Sequence, residues 1–242
     1  MITLISSFRN EEKNIPAFYI MVKKTISFLK KKNIFIKEII LVDNGSSDNT
    51  YKILKKLKFS NINKKIIKNK FPNDNYGDGF GRAFKLSNQK YIVTMHSDLQ
   101  FDIFDFFKSN INEIKKCINN NFNLFPKRSN RSLKFYIRTF VLKVILFFLF
   151  GKYFHDFNGH PKIILKKHFR RNIKLPSGFS WDCFMYIWLI HNQRPINTKC
   201  VIYEKKRLIG VSSWSKDFIQ QIVFLYKFLL ELKKIFKINK KI

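Results

Sequence analysis

A carboxylate and an amide that follow an apolar run near the middle of the chain are the first candidates for chemistry. The run begins at Tyr91, and Asp98 and Gln100 come after it. Side chains two positions apart lie on the same side of an extended backbone, so both oxygens can approach one ion. Carboxylate and amide oxygens suit hard divalent cations. The spacing predicts a metal site whose ion keeps free coordination positions for a diphosphate. The alternative is that Asp98 is a solvated carboxylate at a strand end.

Two more acidic residues follow apolar segments in the first fifty residues. Glu11 comes after residues 2–8, and Asp43 comes directly after residues 37–42. In open α/β sheets, ligands bind at the carboxyl ends of the strands. We therefore expect Glu11, Asp43 and Asp98 to lie at one edge of such a sheet.

Four blocks of the sequence, in order, resemble those of the family 2 glycosyltransferases. The blocks are Asn10-Glu11, residues 42–50 (VDNGSSDNT), residues 75–83 (NYGDGFGRA) and residues 96–100 (HSDLQ). The resemblance extends to about residue 215 and is closest to the dolichyl- or polyprenyl-phosphate sugar synthases. It implies an α/β fold of the GT-A type, Rossmann-like, with a mixed but mostly parallel sheet flanked by helices. It also implies an inverting enzyme with a nucleotide-sugar donor and a Mn²⁺ or Mg²⁺ cofactor.

The resemblance assigns roles on the donor side of the site. Glu11 and Asp43 would contact the base or ribose, and Gly77 and Arg82 of the glycine-rich block would help to bind the donor. The family usually has aspartates where this chain has His96 and Asn44. If His96 is a ligand beside Asp98 and Gln100, imidazole favours Mn²⁺ over Mg²⁺. The alternative is that His96 lies just outside the coordination sphere.

The resemblance also assigns roles at the acceptor and at the leaving group to four residues. Arg128 would bind phosphate oxygens through its guanidinium fork, and Arg207 would clamp the departing diphosphate. Asp156 would lie near the head of the acceptor, and Asp182 would take a proton from an acceptor hydroxyl. The simpler interpretation is that these are solvated charges and a helix-start carboxylate.

Composition indicates one α/β domain. The 242 residues are 45% hydrophobic, enough for a substantial core. We expect residues 1–215 to form the domain, with 1–125 as the nucleotide-sugar half and 126–215 as the acceptor half, followed by a basic amphipathic helix over 216–242. Three cysteines without metal-ligand spacing favour a reducing compartment: Cys117, Cys183 and Cys200.

The charge of +31 would attract nucleic acid or an anionic membrane, and the alternative is that the abundant Lys, Asn, Ile and Phe reflect AT-rich codons. Two apolar segments favour an anionic membrane surface as a partner. Residues 135–150 are strongly apolar but shorter than the roughly 20 residues that span a bilayer, so we expect an apolar interfacial or re-entrant helical hairpin. Residues 218–237 have apolar positions at helical spacing with lysines around them. Both segments could also be core helices. The first residues lack the apolar core of a signal peptide, and no nucleic-acid-binding module is visible. We therefore expect a cytoplasmic protein, peripheral on the inner face of the membrane.

Three functional hypotheses follow. The favoured one is transfer of a sugar to a polyprenyl phosphate, which is already ionised near neutral pH. The second is transfer to a hydroxyl during synthesis of surface polysaccharide or lipooligosaccharide, which requires a general base. The third is a catalytically silent GT-A domain that binds a lipid or a partner protein, suggested by His96 and Asn44.

Overall fold

Parallel strands joined by helices form the centre of the protein. A computed structural model describes residues 1–69, 76–206 and 218–240. The strands are β1 (Ile2–Phe8), β2 (Ile36–Asp43), β3 (Asn63–Lys68), β4 (Tyr91–His96), β5 (Asn123–Leu124), β6 (Lys127–Ser129), β7 (Lys162–Leu165), β8 (Ile196–Asn197) and β9 (Val201–Tyr203). Within the described ranges, seven of them form a sheet in the order β3-β2-β1-β4-β7-β5-β8, and β6 pairs with β9.

Eight α-helices and a short 3₁₀ helix (Lys166–His168) belong to the described residues. The α-helices are α1 (Ile15–Lys31), α2 (Thr50–Lys56), α3 (Tyr76–Leu86), α4 (Ile103–Ser109), α5 (Ile111–Asn119), α6 (Leu133–Phe150), α7 (Trp181–His191) and α8 (Phe218–Lys240). The mixed, mostly parallel sheet flanked by helices confirms the predicted fold class.

The register of the central strands decides which residues meet. β1 lies between β2 and β4 and runs parallel to both, pairing Phe8 with Asp43 and Ser7 with His96. The carboxyl ends of these three strands therefore share one edge, as predicted. β7 runs antiparallel to β4 and pairs Lys162 with Thr94. The first residue of β7 consequently lies beside the end of β4.

Hydrophobic side chains cover both faces of the sheet. Along β1, Leu4 belongs to one buried cluster and Ile5 to the other, because successive side chains of a strand point to opposite faces. The first cluster includes residues of α1, α4 and α5, and the second includes residues of α3, α7 and α8. Continuous burial along the strands is typical of parallel sheets covered on both sides.

The segment predicted as an apolar hairpin is one continuous helix, α6, so that prediction was wrong. Residues 133–150 contain no glycine or proline that would break the helix. The helix ends at Gly151, whose φ of 63° is left-handed, a conformation that glycine adopts without strain. Among the described helices, none combines the length and apolar character needed to cross a bilayer. The predicted C-terminal helix is present as α8, and it packs on α7 through Phe236.

Candidate active site

Asp98 and Gln100 lie in the turn that follows β4, at the predicted edge of the sheet. Asp98 is half-buried, and its Oδ1 accepts a hydrogen bond from the backbone N–H of Gln100 at 3.2 Å. Leu99 between them has a φ of 60°, which reverses the chain. The amide nitrogen of Gln100 lies 3.5 Å from the carbonyl of Lys205, so the amide oxygen is the atom that Gln100 could offer to an ion.

Glu11 and Asp43 lie at the same edge, in turns that hold them tightly. Glu11 is buried, and its Oε2 accepts from the Asn14 amide at 2.5 Å. Asp43 is fully buried, and its Oδ1 accepts from the backbone N–H of Ser46 at 3.2 Å. Both carboxylates shape their loops in this structure. Their contact with a base or ribose stays a prediction.

Asn44, one of the two departures from the family pattern, has a structural explanation. Its Nδ2 donates to Ser7 Oγ at 2.6 Å, and its Oδ1 accepts from Asn69 Nδ2 at 2.7 Å. An aspartate could not donate the first of these bonds. Asn69 Oδ1 in turn accepts from Arg82 at 2.5 Å, so the predicted donor-binding guanidinium supports this network.

Gly77 has a packing role in the structure. A Cβ at this position would lie 2.4 Å from the carbonyl oxygen of Pro176 and 2.6 Å from that of Gly178. Glycine therefore lets α3 approach the loop that precedes α7. Glu231 of α8 accepts hydrogen bonds from Ser177 and Gly178 in that loop. The start of α7, which carries Asp182, is thus fixed from two sides.

A buried cluster around Asp182 lies beside the end of β4. Lys162, fully buried, donates to Asp182 Oδ1 at 2.8 Å and to His160 Nε2 at 2.7 Å. Tyr76 donates to Asp182 Oδ2 at 2.8 Å. Because an ammonium only donates, His160 Nε2 must accept. The ring of His96 lies 4.0 Å from that of His160, centroid to centroid.

The charges of this cluster are set by burial and by Lys162. Burial alone would raise the pKa of Asp182, but the charge of Lys162 holds that pKa far below its ordinary value. Burial and the charge of Lys162 lower the pKa of His160 to about 3. Burial, Asp182 and Asp98 raise the pKa of Tyr76 well above its usual value. At neutral pH the cluster therefore contains an ionised carboxylate, a neutral imidazole and a neutral phenol.

Two places near this cluster offer ligand atoms for a divalent ion. Atoms of His96, His160 and Asp182 lie within 4.8 Å of one another. The Lys162 ammonium, however, already donates to both His160 and Asp182, so an ion there would have to displace it. The half-buried Asp98 offers a carboxylate to which Lys162 does not donate, so it fits the predicted ion better.

Arg128 and Asp156, predicted as separate site residues, form an ion pair with each other. Arg128 Nε and Nη2 donate to the two carboxylate oxygens at 2.8 and 2.9 Å. Burial would raise the pKa of Asp156, and Arg128 more than offsets that effect. The guanidinium fork expected to bind phosphate is thus occupied by the carboxylate. Arg207 lies outside the described residues.

Sequence reasoning assigned no role to Tyr76, His160 or Lys162. Tyr76 lies within the block of residues 75–83, but His160 and Lys162 lie in none of the four blocks, and they come close to Asp182 because β7 runs antiparallel to β4. A usable signal was present, since Lys162 begins an otherwise apolar strand segment, KIIL. A lysine at such a position requires a partner when it is buried.

Comparison with known proteins identifies the family. The sequence model of glycosyl transferase family 2 matches residues 3–154, which is more than half of the chain and includes Glu11, Asp43 and Asp98. None of the curated proteins matches the sequence.

Solved structures share the fold at low sequence identity. The structure of S. aureus TarS residues 1–349 in complex with UDP-GlcNAc has a TM-score of 0.62 and 17% identity, covering 95% of this chain and 66% of that one. Glucosyl-3-phosphoglycerate synthase from Mycobacterium tuberculosis, in complex with Mn²⁺, UDP and glucosyl-3-phosphoglycerate, has a TM-score of 0.65 and 14% identity, covering 97% and 79%. The chain spans less than two thirds of the TarS structures it matches.

Proposed function

Because this chain belongs to glycosyl transferase family 2, we propose that it transfers a sugar from a nucleotide-sugar donor to a lipid-linked phosphate, with inversion at the anomeric carbon. The observation that carries this proposal is the meeting of Asp98 and the Asp182 cluster at one edge of the sheet. A donor diphosphate at Asp98 would present its sugar toward Asp182. The proposal keeps the predicted relationship to the polyprenyl-phosphate sugar synthases.

The state of Asp182 supports a phosphate acceptor. Both of its oxygens accept hydrogen bonds, from Lys162 and from Tyr76, and its pKa lies far below its ordinary value. A general base is most effective when its pKa is near the working pH, so this carboxylate is poorly suited to deprotonating a hydroxyl. A phosphate monoester carries its negative charge before it arrives and needs no such base.

The donor side rests on the edge formed by Glu11, Asp43 and Asp98. TarS and the mycobacterial synthase were crystallised with UDP-GlcNAc and with UDP, respectively, and we propose UDP as the nucleotide here. A Mn²⁺ or Mg²⁺ ion held by Asp98, with Gln100 and His96 as further candidate ligands, would supply charge stabilisation to the departing diphosphate. Arg207 remains a proposed second source of that stabilisation.

The chain's own residues would act in three ways. Asp98 would hold the donor diphosphate at the sheet edge, and the fixed turn after β1 and β2 would receive the nucleoside. The Lys162–Asp182 ion pair, which carries no net charge, would hold the start of α7 in place beside the donor sugar. We propose a cytoplasmic, membrane-peripheral location, consistent with three free, buried cysteines.

Transfer to a hydroxyl is the second candidate, because the Asp182 carboxylate belongs to the buried cluster beside the end of β4 and would then be the general base. The two are distinguished by incubating the protein with UDP-sugars and either a polyprenyl phosphate or the matching polyprenol. The proposal predicts transfer to the phosphate and none to the alcohol.

A pair of variants strengthens that assay. Asp182→Asn and Lys162→Met both break the buried ion pair, but only the first removes the carboxylate. Loss of a general base costs about 10²- to 10⁴-fold in rate. A loss of that size in Asp182→Asn, with Lys162→Met within about ten-fold of the wild type, would contradict the phosphate acceptor and favour the hydroxyl.

A further inference from the structure

The outer face of α6 is an unbroken stripe of large apolar side chains. At 100° per residue these side chains fall within one arc of the helix, and Leu133 and Phe148 are 73% and 81% exposed. We call this surface the α6 stripe. Its members are Leu133, Tyr136, Ile137, Phe140, Val141, Val144, Phe147 and Phe148.

The α6 stripe is larger than a monomeric soluble protein ordinarily exposes. It extends about 22 Å along the helix at 1.5 Å per residue. All eight side chains are between 38% and 81% exposed, whereas exposed apolar residues on monomeric proteins are normally scattered singly. Only Leu146 among the α6 side chains whose burial is described is fully buried against the second core cluster. An apolar surface of this size requires something to cover it.

The charges around the stripe point to an anionic surface. Between Glu113 and Asp156 the sequence contains nine lysines and arginines and no acidic residue. Arg138 within α6 is exposed, and so is Lys152 just after it. A second copy of this chain, itself carrying +31, would be repelled from such a surface. A bilayer with anionic headgroups offers both apolar depth and negative charge.

The ion pair at the base of α6 connects this surface to the site. Arg128 precedes α6 and Asp156 follows it. Their bidentate contact joins the two ends of the segment that contains α6. The chain then runs directly from Asp156 to His160 and Lys162 of the buried cluster. The base of α6 is therefore held in a fixed relation to the start of β7.

We propose that the α6 stripe docks flat on an anionic lipid bilayer and holds the catalytic edge at the membrane surface. This inference deepens the proposed function, since it rests on an acceptor that is lipid-linked. It assigns to α6 an interfacial role, with the aromatic side chains at the level of the headgroups and acyl chains.

The test is vesicle co-sedimentation of the full chain. The vesicles are phosphatidylcholine alone or phosphatidylcholine with phosphatidylglycerol at roughly three to one. The variant Phe140→Ser/Phe148→Ser removes two exposed members of the stripe. Its matched control, Ile20→Ser/Leu86→Ser, removes two exposed apolar side chains of α1 and α3, which are 64% and 51% exposed.

Salt separates apolar docking from general attraction of a basic protein. At about 0.5 M NaCl the Debye length falls to roughly 4 Å, so simple charge attraction is weak. We expect wild type and the matched control to bind the mixed vesicles at low and high salt. The stripe variant should lose on the order of a hundred-fold in partitioning at high salt, with an unchanged circular dichroism spectrum.

Two results would overturn the inference. One is equal binding by the wild type and the stripe variant at high salt. The other is a wild-type dimer in sedimentation equilibrium that the stripe substitutions dissociate, without vesicle binding, because the stripe would then cover a second copy. UDP titration of the same samples distinguishes the two proposals, since vesicle binding without UDP binding would contradict only the proposed function.

Discussion

Replacing Lys162 by Met tests the buried cluster most sharply. Lys162 is fully buried, and its ammonium lies 2.8 Å from Asp182 Oδ1. Removing one partner of a buried ion pair leaves an uncompensated charge and costs about 3–5 kcal/mol. That is a large part of the 5–15 kcal/mol that a domain of ordinary stability has.

The assay is guanidinium chloride unfolding followed by tryptophan fluorescence, since Trp181 and Trp188 are buried in the same helix as Asp182. We expect the midpoint of Lys162→Met to fall by about 1 M. The control is Lys205→Met, whose ammonium is 46% exposed and lies 3.1 Å from Asp102. Loss of that surface pair should cost less than about 1 kcal/mol.

The double variant Lys162→Met/Asp182→Asn removes both charges and isolates their coupling. We expect it to be more stable than Lys162→Met alone, with an interaction free energy of at least about 2 kcal/mol. Additive single effects, or a Lys162→Met protein within about 1 kcal/mol of the wild type, would refute a paired, dehydrated ammonium at this position.

Three further predictions concern other contacts. Burial lowers the pKa of His160 to about 3, so between about pH 6.5 and 3 this imidazole binds a proton in the unfolded chain but not in the folded protein. As the pH falls through that range, the free energy of unfolding should decrease by up to about 1.4 kcal/mol per pH unit. Denaturant titrations of His160→Gln should show a flatter slope. Arg128→Ala and Arg128→Lys should both destabilise the protein, the first by about 3 kcal/mol, because lysine cannot make the bidentate contact with Asp156; equal stability of Arg128→Lys and the wild type in thermal unfolding would contradict that contact. Gly79→Ala places a Cβ 2.4 Å from Asn44 Oδ1 and should lower the free energy of unfolding by about 1–3 kcal/mol. The same unfolding assay measures this loss, and unchanged stability would show that Asn44 moves freely.

The sheet edge was predictable because it depends on local patterns. Apolar runs ending in Asp43 and Asp98 identify parallel strands, and such strands place their carboxyl ends together. The continuity of α6 was also readable, since nothing between Leu133 and Phe150 breaks a helix. The apolar length was interpreted as a hairpin only because it was compared with the thickness of a bilayer.

The buried cluster could not be predicted in the same way. Lys162 meets Asp182 only because β7 reverses direction beside β4, and no local pattern encodes that pairing. The same holds for Arg128, which was assigned to a phosphate although the structure gives it a carboxylate 28 residues away. Charged residues found by motif alone carry no information about which partner they meet.

Calorimetric titration of UDP in the presence of Mn²⁺ tests the central claim, that Asp98 holds a nucleotide diphosphate at this edge. The wild type should bind UDP, and binding should weaken strongly without the metal. Asp98→Asn should lose most of the affinity while unfolding as the wild type does. Failure of the wild type to bind UDP or any other nucleoside diphosphate, or full affinity in Asp98→Asn, would contradict the account, and the first result would favour a silent GT-A domain.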